Sequence, residues 1–545
     1  MSKEEITLDI QGMTCDSCSV HDTKARVAVP GWQSGRATLL AGPGVSDAAL
    51  VEAVAAAGYR ARVASRRSPS AGTGPVQPGH AEVDLLVIGA GSAGFAAAIR
   101  AAELGYSVTL VGEGTIGGTC VNVGCVPSKT LIRAAEAYHR AGHSPFGGVR
   151  PRGAGLDWAA VVEQKDALVA ELRQSKYVDV LAAYPSITYV EGRARLLADG
   201  GVAVNGRTYH PARIVVATGA SPHPLPIPGI EKVAVLTSTE ALSLRGHPES
   251  LLVIGGRAVA LELAQIYARF GTQVTILQRS PRLIPEHEAE IAEALADYLR
   301  EEGVTIHTSV RVQHIRQQGS EKVVMATVGG EKREFRTAQV LMATGRWPNT
   351  ADMGLQEAGI ELDDRGAIRV NAQMQTTNPR VYAAGDVIGG PMLVYVAAAS
   401  GTLAAENALL GTDKPLDLST VPAVIFTDPQ VATVGLTEAQ ARARGLAVST
   451  AVLPLDYVAR ALAAHDTRGL IKLVADEESG RLLGAHVLAA EGGEVIQAAA
   501  LALRAGWRVS DLRETLFPYL TQVEGLKLAA LAFEKDVRKL SCCAG

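Results

Sequence analysis

The six cysteines of this 545-residue chain fall in three close pairs: Cys15/Cys18, Cys120/Cys125 and Cys542/Cys543. A secreted disulfide framework is not distributed this way, whereas paired thiols in a cytosolic chain point to metal binding or catalysis. The central pair lies in Gly117-Gly118-Thr119-Cys120-Val121-Asn122-Val123-Gly124-Cys125-Val126-Pro127-Ser128-Lys129. Pro127 suits a first helical turn, and the residues from Lys129 to Tyr138 carry that helix on. A thiol at a helix N-terminus feels the positive end of the dipole, and Lys129 adds to it, so both favour thiolate. Two such thiols can cycle between dithiol and disulfide. A buried structural pair is the other reading of the same spacing.

The outer pairs suggest soft-metal chemistry. Cys542 and Cys543 are adjacent, which is poorly shaped for a stable disulfide and well shaped to capture and release a soft cation. A chance pair of terminal thiols is the bland alternative. Cys15 and Cys18 sit in Gly12-Met13-Thr14-Cys15-Asp16-Ser17-Cys18, on a loop entering a helix. Two thiols there suit low-coordinate cations such as Cu(I) or Hg(II). Zinc would want four ligands, and no second CxxC or His pair is near. A thioredoxin-like CxxC is the rival.

These cysteines need elements to position them. Asp84 to Ile88 reads as a buried strand running into Gly89-Ala90-Gly91-Ser92-Ala93-Gly94, followed by an alanine-rich helix and a second strand ending at Glu113. Strand, glycines, helix, strand and terminal acid together make a dinucleotide fingerprint, with the acid placed for ribose hydroxyls. A second copy begins at Leu251 and turns at Gly255. There Arg257 and Ala260 replace two glycines, and Arg279 falls on the place of Glu113. A carboxylate accepts from a ribose hydroxyl, while an arginine accommodates a 2′-phosphate. FAD is therefore expected at the first turn and NADPH at the second, where Arg282 could add charge. A solvated surface charge is the plainer reading of Arg279.

The totals agree with a multidomain soluble protein. Hydrophobic residues make 47% and charged residues 20%, with net charge -4, so no basic field argues for nucleic acid or a membrane surface. No apolar run reaches the roughly twenty residues a membrane span needs. The start, Met1-Ser2-Lys3-Glu4-Glu5, leads into no apolar signal region, so a cytoplasmic location is expected.

The string around Cys120 and Cys125 resembles the active disulfide of the flavin-dependent pyridine nucleotide-disulfide oxidoreductases, and the resemblance runs from about residue 81 to 545. It implies an α/β fold: two Rossmann-like nucleotide-binding domains plus an α+β dimerisation domain. The GMTCxxC string resembles heavy-metal-associated domains, which implies a small ferredoxin-like βαββαβ metal-binding domain in front. The expected boundaries are 1–65 for that domain and 66–80 for a Ser/Pro/Gly-rich linker. FAD would be bound by 81–225 and 350–420, NADPH by 226–349, and 421–545 would form the interface.

By the same resemblance Cys125 faces the flavin and Cys120 exchanges with substrate. Glu262 would pair with Lys129, and Asp386, in Val381-Tyr382-Ala383-Ala384-Gly385-Asp386, would meet the ribityl chain. Val215 to Gly219 and Leu341 to Gly345 look like the paired turns where the chain crosses between nucleotide domains. Ala93, Gly114, Thr119, Ala194 and Val394 would meet FAD through their backbones. Phe426 to Gly435 looks like the opening of the interface domain, which implies a homodimer with active sites completed across the interface.

Disulfide reductases of this family carry a His-Pro near the C-terminus as acid-base partner to the exchanging thiol. Here the string is Leu516-Phe517-Pro518-Tyr519. Phe517 cannot transfer a proton, so reduction of an organic disulfide is disfavoured. With the terminal Cys-Cys, this resembles the mercuric reductases within the family. That resemblance implies reduction of Hg(II), delivered as thiol complexes, to Hg(0). Cys542 and Cys543 would hand the ion to Cys120 and Cys125, Cys15 and Cys18 would scavenge it, and Tyr177 and Tyr519 would lie beside it. Plain aromatic packing is the alternative for either tyrosine. A dihydrolipoamide- or glutathione-type reductase with a fused metal domain is the enzymatic rival. A metal-sequestering protein with a vestigial oxidoreductase body is the other.

Overall fold

The strand Val83–Ile88 is buried at every position, as a central parallel strand covered on both faces should be. In the computed structural model it is the middle of a five-stranded sheet. The order is Val381–Ala383, Pro211–Val216, Val83–Ile88, Val108–Gly112, Ile187–Glu191, with every pairing parallel. The structure describes residues 4–11, 25–31, 36–41, 45–56, 60–67 and 74–539. Cys15, Cys18, Cys542, Cys543 and the middle of the expected linker lie outside the described residues.

Contacts divide the chain into two units. One comprises Met1–Cys120, Arg173–Ser221 and Trp347–Asp417, and the other comprises Val121–Leu172, Pro222–Arg346 and Leu418–Gly545. In the first unit, the helix Ser92–Glu103 follows the central strand and buries Ala93, Ala97, Ala98 and Ala101. Its neighbour is the helix Val394–Leu410. Small residues set their separation: a Cβ on Gly401 would stand 2.1 Å from the Ala93 carbonyl oxygen.

The same unit carries the N-terminal segments. Four antiparallel strands run in the order Ala25–Gly31, Arg36–Ala41, Glu4–Gln11, Arg60–Arg67. Ile6, Leu8, and Leu50 and Val54 of the helix Asp47–Ala56 are buried there. That strand order is the one a ferredoxin-like sheet takes.

The second unit repeats the strand-turn-helix-strand device. Its parallel sheet runs Thr305–His307, Gln273–Leu277, Ser250–Ile254, Gln339–Met342. The helix Ala258–Arg269 follows the strand Ser250–Ile254 and is buried along most of its length. The helix Cys125–Gly142 shares a core with it through Leu131 and Ala135. A five-stranded antiparallel sheet, Ala423–Ile425, Gln430–Gly435, Leu482–Ala489, Leu470–Asp476, Val448–Pro454, completes the unit. Among the described residues no helix is long and apolar enough to cross a membrane.

Candidate active site

In an open parallel sheet, ligands bind beyond the carboxyl ends of the strands. In the first unit four predicted features follow those ends: Gly89 after Val83–Ile88, Glu113 after Val108–Gly112, the turn at Ala217 after Pro211–Val216, and Asp386 after Val381–Ala383. Gly89 has φ +116°, and a Cβ on it would stand 2.2 Å from the Ala217 carbonyl oxygen. Only glycine fits that turn. Gly91 precedes the helix Ser92–Glu103 in extended conformation. Gly118, at φ +64°, approaches so closely that its Cβ would lie 2.6 Å from the Gly91 Cα. Gly94 is likewise bare, since a Cβ there would strike the Gly89 carbonyl oxygen.

Glu113 is exposed, and Gly114 beside it takes φ +76°. Ala93 is buried in the first turn of its helix, Val394 opens the helix Val394–Leu410, and Ala194 is buried in the short strand Ala194–Leu196. Asp386 lies in the turn Gly385–Ile388, whose Gly385 N–H donates to Ser400 Oγ at 3.0 Å. Tyr177 sits in one turn of π-helix, Gln174–Val178, and meets Phe95 edge-on with ring centroids 4.8 Å apart. Its ring packs there on the core of the first unit.

The cysteines occupy two successive helices. Thr119 and Cys120 lie in Gly118–Val123, and Cys125 is the first residue of Cys125–Gly142, both sulfurs being half-buried. Cys125 thus stands where the peptide dipole is most favourable to a thiolate. One turn on, Lys129 Nζ lies 2.7 Å from Glu262 Oε2. The other carboxylate oxygen of Glu262 accepts the Phe426 N–H at 2.9 Å. The Lys129 ammonium also stands 4.6 Å from the centre of the Phe426 ring. The lysine is held on two sides by a buried carboxylate and an aromatic face.

The second nucleotide turn is built like the first. Gly255 has φ +127°, and its Cβ would stand 2.3 Å from the Ala343 carbonyl oxygen. Arg279 follows the strand Gln273–Leu277 and is exposed. Arg282 has another duty: its guanidinium donates to the carbonyls of Pro285 at 2.9 Å and His287 at 3.0 Å, which shapes the loop.

Near the C-terminus, Phe517 packs against the core of the antiparallel-sheet domain, while Tyr519 is exposed. Phe517 offers that position bulk and no proton.

The bare cradle of Gly89, Gly91 and Gly118, with exposed Glu113 beside it, fits a flavin dinucleotide. Gly255 with exposed Arg279 fits a nicotinamide dinucleotide. Two contributors escaped the sequence reading. Phe426 was legible only as the start of a domain, yet its N–H holds Glu262. Gly118 was legible only as part of the cysteine string, yet its bareness permits the approach to Gly91.

Three comparisons place these features. The family model described as pyridine nucleotide-disulphide oxidoreductase matches residues 83–401, and that of the family's dimerisation domain matches 421–530. The chain is 43% identical over 551 residues to the mercuric reductase of Staphylococcus aureus, covering 100% of both. It is 46% identical to that of Shigella flexneri, covering 99% of this chain and 100% of the other. Among solved structures it resembles the HOCl-induced flavoprotein disulfide reductase RclA from Escherichia coli, with TM-score 0.74 and 30% identity over 82% of this chain and 99% of that one. RclA has also been solved as a Cu(II) complex. Fingerprint turns, cysteine-bearing helices, dimerisation domain and full-length relatives agree, and the chain belongs to the pyridine nucleotide-disulphide oxidoreductase family.

Proposed function

We propose that this chain reduces Hg(II) to Hg(0) at the expense of NADPH. The single observation that carries the reading is likeness along the whole chain to mercuric reductases, Staphylococcus aureus included. Phe517, packed where a disulfide reductase needs a proton donor, supports it. As a family member the chain works with FAD and a nicotinamide nucleotide and assembles as a homodimer through residues 421–530. Exposed Arg279 in the place of Glu113 supports NADPH over NADH.

In the proposed route, Cys542 and Cys543 of one subunit take Hg(II) from cellular thiols. Cys120 and then Cys125 of the other subunit displace them, one Hg–S bond forming as another breaks, so the ion is never without thiolate. Cys15 and Cys18 collect ions for the tail. Tyr177 and Tyr519 flank the ion at its destination. Lys129, steadied by Glu262, adds positive charge near Cys125. Glu113 and Asp386 hold ribose and ribityl hydroxyls, and the backbones of Ala93, Gly114, Thr119, Ala194 and Val394 line the dinucleotide. FAD, when bound and reduced by NADPH, supplies the two electrons that convert Hg(II) to Hg(0).

The test is NADPH oxidation with and without thiol-ligated Hg(II), with mercury vapour detected. Hg(II)-dependent oxidation with vapour is expected. Oxidation without mercury, or faster turnover on glutathione disulfide or lipoamide, would overturn the reading. Alanine at Cys542 and Cys543 should cut Hg(II) turnover and leave flavin reduction intact, and unchanged turnover would remove the relay.

A further inference from the structure

Arg257 stands at the second position of the nucleotide turn where a glycine is usual, just before the helix Ala258–Arg269. Its backbone is extended, and its side chain makes no helix cap. The side chain is 67% exposed, and its Nε lies 3.5 Å from Glu286 Oε2, itself 42% exposed. Such a pair is long, solvent-screened and weak.

Glu286 belongs to the loop that leaves the strand Gln273–Leu277, the loop that also carries Arg279 and Arg282. The loop is pinned to the turn: Ile284 N–H donates to the Gly256 carbonyl at 2.8 Å. A Cβ on Gly256 would stand 2.9 Å from Leu283. Arg257 therefore reaches toward the end of the second strand, where an acid or an arginine chooses between a ribose hydroxyl and a 2′-phosphate. Arg282 is occupied by the Pro285 and His287 carbonyls. His287 is held below the ordinary imidazole value by burial, against the attraction of Glu286 and with the help of His486, Arg257 and Arg282 nearby. Arg257 and Arg279 are the two exposed guanidinium groups at this place.

We infer that Arg257 is a specificity-determining residue for the 2′-phosphate of NADPH, exchanging its Glu286 partner for that phosphate when the nucleotide binds. The inference rests on the second turn being an NADPH site. A dianionic phosphate offers charge-assisted, bidentate hydrogen bonds in place of one weak ion pair. Glu286 acts as a resident competitor for Arg257, which the 2′-phosphate displaces and a nucleotide without that phosphate leaves in place.

The probes are adenosine 2′,5′-bisphosphate, which has the 2′-phosphate and no pyrophosphate, and 5′-ADP, which has the reverse. Each is titrated calorimetrically into the flavin-loaded dimer. Arg257→Ser should weaken adenosine 2′,5′-bisphosphate roughly tenfold, as loss of one charged hydrogen-bonding group would, while 5′-ADP binding keeps its affinity. Glu286→Gln should tighten the bisphosphate. An equal loss for both probes would put Arg257 on the pyrophosphate and overturn the inference, as would no change in either variant. If the unchanged protein itself binds the bisphosphate no better than 5′-ADP, the NADPH reading falls first. If it prefers the bisphosphate and both variants keep that preference, only the role of Arg257 falls.

Discussion

Lys129 Nζ and Glu262 Oε2, 2.7 Å apart, join the cysteine-bearing helix Cys125–Gly142 to the helix of the second nucleotide turn. The carboxylate is 8% exposed and the lysine 33%. Glu262→Gln keeps the shape and removes the charge, and its single acceptor oxygen can serve the Phe426 N–H or the lysine but not both. It should slow flavin reduction by NADPH while leaving the melting temperature within a few degrees. Charged hydrogen bonds contribute about 1.5–3 kcal/mol, which corresponds to about ten- to a hundredfold in rate. Stopped-flow absorbance of the flavin measures it, and an unchanged rate would show that the pair only braces the two helices.

Gly401 tests how the first unit is packed. Alanine would raise helix propensity by about 1 kcal/mol. Its Cβ, however, would meet the Ala93 carbonyl oxygen at 2.1 Å, and a backbone atom cannot turn aside. Overpacking costs about 1–3 kcal/mol, and more where nothing flexible yields. Gly401→Ala should therefore lower the melting temperature and weaken flavin retention, since Ala93 belongs to the nucleotide turn. Both are read by thermal release of flavin fluorescence.

Lys472 is 2% exposed and touches three carboxylates: Glu288 at 2.9 Å, Glu290 at 2.8 Å and Glu438 at 2.9 Å. Hydrogen bonds from Lys472 and Arg442 hold the Glu438 carboxyl below its ordinary 4.5. For Glu290, burial pushes up, and the bond and charge of Lys472 together with a backbone N–H outweigh it, so its value is also lowered. Lys472 itself is pushed up, its three bonds outweighing burial. Depressed carboxyls contribute stability that is present above pH 4.5 and lost as pH falls through their folded values. The raised lysine contributes below its ordinary 10.5 and loses that contribution as pH climbs past its folded value. Unfolding midpoints in urea should be highest between those limits. Lys472→Met should cost about 3–5 kcal/mol at pH 7, because it strands the buried Glu288 carboxylate beside two more exposed ones. In that variant, acidification toward pH 4.5 should stabilise the protein relative to its own neutral value.

Arg279 and Glu113 occupy equivalent ends of equivalent strands. Arg279→Glu should move nucleotide preference toward NADH by about 1–3 kcal/mol, or roughly five- to hundredfold in the ratio of kcat/KM values. Steady-state assays with both nucleotides decide it, and an unchanged ratio would return Arg279 to the status of a solvated charge.

Much of this architecture was legible from spacing. The turns at Gly89 and Gly255 need a residue that tolerates positive φ beside a carbonyl, so the glycines announced them. The start of a helix at Cys125 followed from Pro127 and the run beyond it. The hold on Glu262 was not legible, because a backbone N–H carries no side-chain signature and Phe426 is far away in sequence. The Lys472 cluster was hidden for a similar reason. Its acids look like surface residues of two helices, and only the folded sheet brings a lysine beneath them. Arg257 read as a missing glycine, since a fingerprint records what is absent and not where the substitute reaches.

The Phe426 N–H has a consequence for how the protein matures. A newly made copy in which residues 423–435 have not yet settled would lack one of the two donors that fix Glu262, and Lys129 would swing with it. One amide in this way ties the setting of a lysine on the cysteine-bearing helix to the completion of the dimerisation domain.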